Sequence, residues 1–89
     1  MQPDDDETPA EYLKALLRRT QGLRERRNYT QAQMASFLGI SVAVYKKYET
    51  RSPLPHRLIN KFCLLADTDE TYFLTGKSTV HKKLARKSA

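Results

Sequence analysis

The tightest constraint on this chain lies between Thr30 and Glu49, where two short helix patterns are separated by one glycine. "TQAQ" opens the first. Thr30 can accept a hydrogen bond from the first helical turn, and Gln33 stands where its side chain reaches back, the reciprocal arrangement of a capping box. Met34, Ala35 and Leu38 follow at helical spacing. Gly39 then ends the helix, because the residue just past a helix end commonly takes left-handed angles that cost glycine nothing. Ser41 caps the next helix, predicted to run to Tyr48 or Glu49. Ala35 is small where the two helices would cross. Met34, Leu38, Ile40, Tyr45 and Tyr48 supply the apolar surface they share. Residues 31–50 thus read as one unit of two helices and a tight turn.

The flanks carry the same kind of signal. In "TPAE", Thr8 can cap, Pro9 suits the first helical position and Glu11 can close a capping box. Leu13, Leu16, Leu17, Thr20, Leu23 and Arg27 continue at spacings of three and four, predicting one inward stripe. Arg18, Arg19, Arg24 and Arg26 fall mostly outside it. Gly22 makes a bend possible, and Asn28 is a plausible stop. Beyond the motif, "SPLP" ends the helical run. A fourth helix then places Leu58, Ile59, Phe62, Cys63, Leu65 and Ala66 on its buried side. "DTDETYFLTG" predicts a short fifth helix, capped by Thr68 or Asp69 and stopped by Gly76. The predicted class is all-α with five helices, in a domain spanning residues 8–76. A flexible acidic N-terminus (1–7) precedes it and a basic tail (77–89) follows.

A chain of 89 residues, 39% of them hydrophobic, supports one modest core. It has no apolar run long enough for a transmembrane helix. Its acidic start lacks the order of a signal peptide, so a cytoplasmic location is expected. The single cysteine, Cys63, excludes an internal disulfide. With only His56 and His81 beside it no zinc site is expected, and Cys63 reads as a small hydrophobe. The formal net charge is +6. Asp4, Asp5, Asp6 and Glu7 make the front negative, and Lys77, Lys82, Lys83, Arg86 and Lys87 make the back positive. The body between is itself net positive, as a polyanion-binding protein would be, although solubility alone would explain it too.

The combination of Gln31, Ala35, Gly39, Ser41, Tyr48 and Glu49 inside this layout resembles the lambda-repressor-like helix-turn-helix family, the Cro and Xre type. The resemblance covers residues 13–76. It implies a five-helix domain that lays the second helix of the motif in the DNA major groove, usually as a homodimer on a palindromic site. It implies that Gln31 meets the phosphate backbone and that Val42, Ala43, Lys46 and Lys47 face DNA. Helical geometry independently puts those four on one face and turns Tyr45 and Tyr48 the other way. Adding the cap and the following loop, the expected DNA-binding set is Gln31, Ser41, Val42, Ala43, Lys46, Lys47 and Arg51. Arg24, Lys61 and the tail would add phosphate contacts.

The chain departs from the family pattern in three places. Val42 and Ala43 replace polar readers and have no side-chain hydrogen bond to offer. They can touch thymine methyl groups, so a DNA-binding form would lean on charge, shape and A·T-rich sites. Tyr45 replaces a smaller aliphatic residue, implying either a locally altered core or a partly exposed ring. Arg51 stands where glycine is common. The same residues admit a second reading. Val42, Val44 and Tyr45 would form an apolar strip for a protein partner, such as a transcription factor held by an antiactivator. Neither reading uses a cofactor or a membrane. Catalysis is not expected: no nucleophile–histidine arrangement, carboxylate pair or glycine-rich phosphate loop stands out. Ser41 is accounted for as a cap, and Glu49 is expected to pair with a nearby arginine or cap the following loop.

Overall fold

The computed structural model describes residues 8–77. They form five helices: α1 (Pro9–Arg26), α2 (Gln31–Leu38), α3 (Val42–Thr50), α4 (His56–Ala66) and α5 (Glu70–Thr75). The predicted residues of the N-terminus (1–7) and nearly all the basic tail (78–89) lie outside the described part.

The predicted start signals are closed as hydrogen bonds. At α1 the Glu11 amide donates to Thr8 Oγ1 at 3.1 Å, and the Thr8 amide donates to Glu11 Oε1 at 3.1 Å. Thr30 and Gln33 repeat the arrangement at α2, at 3.0 and 2.8 Å. Asp69, rather than Thr68, caps α5 through the Tyr72 amide. The start of α4 differs: Pro55 holds the cap position and makes no side-chain cap bond. Asn28 takes φ +62° just past α1, and Gly39 takes φ +78° just past α2. These angles let the chain reverse within a few residues, which is what brings α3 back across α1 and α2. Helix α1 is continuous through Gly22.

One core fills the space between the helices. Leu16 and Leu23 of α1, Met34, Ala35 and Leu38 of α2, and Tyr45 of α3 meet Leu58, Phe62, Cys63 and Ala66 of α4 and Phe73 of α5. Phe62 and Phe73 pack at a ring separation of 5.3 Å. Leu54, between the two prolines, is buried in this core, while Pro53 is exposed and Pro55 partly buried. The "SPLP" segment thus both ends α3 and plugs the core. Ile59 and Leu65 are only partly buried, as are Ile40 and Tyr48. The α1 stripe needs one correction. Arg27 is exposed, its guanidinium 5.8 Å from the Tyr29 ring centre, while Arg24 is buried.

Helix α5 is held to α1 by its own carbonyls. Arg19 Nε donates to the Phe73 carbonyl at 2.8 Å and Nη2 to that of Leu74 at 3.2 Å. Tyr12 Oη also donates to the Leu74 carbonyl, at 3.0 Å. Arg19 thereby satisfies groups that a helix end leaves unpaired. Gly76, at φ +78°, lets the guanidinium lie against the backbone; a Cβ there would sit 2.7 Å from Arg19 Nη1.

Candidate nucleic-acid interface

Helix α3 has one side committed to the interior and one free of it. Its first turn is fixed by Ser41, whose Oγ accepts the Val44 amide at 3.1 Å. Val44 is half-buried, and Tyr45 is completely buried. Glu49, one turn further on, is 6% exposed and is the centre of a polar cluster. Arg24 reaches it from α1 with two bonds, Nε to Oε2 at 2.7 Å and Nη2 to Oε1 at 3.1 Å. Gln31 Nε2 donates to Oε1 from the start of α2 at 3.0 Å, and Tyr45 Oη donates to Oε2 from α3 itself. Arg24 Nη1 also ties down the Tyr29 carbonyl of the α1–α2 loop at 2.7 Å.

The electrostatics follow from this wiring. Burial works to raise the pKa of the Glu49 carboxyl, but the bonds from Arg24, Tyr45 and Gln31 outweigh it and hold the group below its ordinary value. The bond to Glu49 raises the Arg24 guanidinium further, against the opposing effect of burial. Burial, and then the bond to Glu49, push the Tyr45 phenol well above its usual range. At neutral pH the cluster is therefore an ionised pair with a neutral phenol and amide around the carboxylate. Its role is positional: one carboxylate on α3 is gripped by donors from all three helices of the motif region.

The outer side of α3 presents Val42, Ala43, Lys46, Lys47 and Thr50, and Arg51 follows at the C-cap; all six are exposed. Val42 is 38% exposed, one of four large apolar side chains that stand exposed among the described residues, with Tyr12, Phe37 and Leu64. Lys46, Lys47 and Arg51 form no ion pair among the described residues. A helix face with three cations, two apolar side chains and a rigidly held back is a surface suited to a polyanion.

Two sequence expectations are corrected here. Tyr45 contributes nothing to an interface strip, because its ring lies in the core and its hydroxyl is bonded to Glu49. Arg24 is not available to a phosphate, because its guanidinium is occupied by Glu49 and the Tyr29 carbonyl. The predicted inward stripe leaves it out; its spacing of four from Thr20, a stripe residue that is also buried, is the signal that could have placed it inside. Gln31 is partly buried and spends a side-chain donor inside the protein. Ser41 is exposed, with its oxygen serving the helix start. Lys61, on α4, is exposed.

Residues 22–59, from inside α1 to inside α4, match the protein family described as Helix-turn-helix. No curated protein and no solved structure gives a significant match to the chain. The matched family is the Cro/Xre type of DNA-binding regulatory domain. The helix-turn-helix of this chain belongs to it, and the five-helix all-α architecture is the lambda-repressor-like fold. Among the described residues no helix is long and apolar enough to cross a membrane, and no group of side chains is arranged to hold a metal ion.

Proposed function

We propose that this protein is a small cytoplasmic transcriptional regulator that binds duplex DNA with α3 in the major groove. The observation that carries the reading is the division of α3 into two sides. Glu49 and Tyr45 fix one side to α1 and α2, while Val42, Ala43, Lys46 and Lys47 stand exposed on the other. In helix-turn-helix docking the second helix enters the groove and its early residues meet base edges. Val42 and Ala43 occupy that end. Lys46, Lys47 and Arg51 supply phosphate contacts, with Lys61 contributing from α4 and the second amide hydrogen of Gln31 from the start of α2. Ser41 orients the first turn. Affinity then rests on charge more than on base-specific hydrogen bonds, and a homodimer on a palindromic site doubles the contact.

The test is fluorescence anisotropy on a random pool of duplex DNA, at low and near-physiological salt, with Lys46→Glu/Lys47→Glu as comparison. Micromolar or tighter binding that weakens steeply with salt and collapses in the double variant is the expected result. A folded wild-type protein that ignores DNA at low salt would sink the reading. The exposure of Val42 would then favour the alternative, a regulator that holds a transcription factor or similar protein through Val42 and Val44. Loss of partner capture in Val42→Asp would mark that case.

A further inference from the structure

We propose that α3 reads the C5 methyl groups of pyrimidines, with Val42 and Ala43 as the reading residues, so that thymine and 5-methylcytosine are recognised by the same contact. The inference rests on the DNA-binding function proposed above and adds what the site recognises there.

It comes from an inventory of the polar atoms on the exposed side of α3. The two hydroxyls on this side are engaged with backbone: Ser41 Oγ accepts the Val44 amide at 3.1 Å, and Thr50 Oγ1 donates to the Lys46 carbonyl at 2.9 Å. The one carboxylate of α3 is Glu49, buried and bonded to Arg24, Gln31 and Tyr45. What projects is apolar at Val42 and Ala43 and cationic at Lys46 and Lys47. This face therefore has no carboxylate or amide to accept from the amino groups that adenine and cytosine show in the major groove. Its ammonium groups suit the acceptors of guanine and thymine or a phosphate. Its apolar pair matches the other major-groove feature that distinguishes a base, the thymine methyl.

Val42 and Ala43 are adjacent in the first turn of α3, which Ser41 holds in place. Methyl contact is short-ranged, so it needs a side chain whose backbone is fixed. Removing one methyl from such a contact should weaken binding about four-fold, the equivalent of one methylene-sized group returned to water. Cytosine methylated at C5 carries its methyl at the same position in the groove. A site containing cytosine at the contacted position would bind more tightly once methylated, making the regulator responsive to DNA methylation.

The full chain is used to select a preferred duplex from a random pool. That duplex is then resynthesised with deoxyuridine for each thymine in turn, and with cytosine or 5-methylcytosine at the sensitive positions. The expected result is a loss of about four-fold at one or two thymines in each half-site. A gain of similar size should follow for 5-methylcytosine over cytosine at the same positions. In Val42→Ser, checked for folding by circular dichroism, the thymine-to-uracil ratio should move towards one. Sequence-selective binding that is unchanged by every uracil substitution would overturn the methyl reading while leaving DNA binding intact. A folded protein that binds no duplex in the pool would overturn both.

Discussion

Arg24 and Glu49 meet as a buried two-point ion pair, with bonds of 2.7 and 3.1 Å joining the last turn of the domain's longest helix to the end of α3. Their side chains are 9% and 2% exposed. Neither charge has much water to fall back on, so each depends on the other. The pair gives α3 its fixed angle against the rest of the domain, and with it the direction in which Val42 and Lys46 point.

Removing one partner should therefore cost more than removing both. Arg24→Ala or Glu49→Ala leaves a buried charge uncompensated and should lower stability by about 3–5 kcal/mol in urea denaturation. The apolar pair Arg24→Met/Glu49→Leu should recover much of that loss, because it removes both desolvated charges together. A double variant whose loss equals the sum of the two single losses would show that the pair is not coupled as drawn.

The same carboxylate sets an acid limit. Glu49 titrates below its ordinary value of 4.5 in the folded chain, so the unfolded chain takes up the proton first as pH drops. The stability it contributes is fully present above about pH 4.5 and is lost as pH falls from there through the folded-state value. Melting temperature measured from pH 7 down to pH 3 should decline across that window in the wild-type protein. Glu49→Gln, less stable at neutral pH, should show a shallower decline. Parallel curves for the two proteins would remove Glu49 as the cause.

Much of this arrangement was legible in the sequence because it is local. Thr8, Thr30 and Ser41 announced helix starts, and Asn28, Gly39 and Gly76 announced stops, since each signal acts on backbone a few residues away. The partners of the polar cluster were less accessible. Arg24, Gln31 and Glu49 lie far apart in the chain and meet only once α3 has folded across α1 and α2. Pairing of Glu49 with an arginine was anticipated; which arginine, and that it would be buried, was not. Tyr45 shows the limit of period and size. Helical spacing turned it inward, but a phenol in place of an aliphatic side chain left an exposed ring open as well. Glu49, one turn along the same helix, resolves the conflict by accepting the phenol hydrogen. Leu54 was hidden for another reason: proline predicts where a helix stops, and says nothing about where the side chain beside it goes.

Cys63 should behave as a packing residue and resist chemistry in the folded state. It is 3% exposed, and burial, followed by the nearby charges of Glu70 and Asp69, pushes its thiol up to about 11. At pH 8 little thiolate is present and a reagent has no path to it. A disulfide reagent such as dithionitrobenzoate should react slowly with the native protein and within the mixing time in denaturing urea. Fast reaction in the absence of denaturant would mean that α4 opens readily.

The proposed contacts of α3 make a quantitative claim about salt. Each phosphate neutralised by a cation adds roughly 0.9 to the slope of log affinity against log salt. Arg51→Gln should therefore flatten the slope by about 0.9, and Lys46→Gln/Lys47→Gln by about 1.8, if each side chain meets one phosphate. The exposed position of all three makes the variants safe for folding, since none has an ion-pair partner to lose among the described residues. Arg24→Gln should behave differently. Its guanidinium is spent inside the protein, so the variant should lose stability in urea and keep the wild-type slope wherever it remains folded. Anisotropy titrations of the three variants at three or more salt concentrations separate the two kinds of arginine. A reduced slope in Arg24→Gln, with no change in Arg51→Gln, would mean that the DNA lies on a different face of the domain from the one α3 presents.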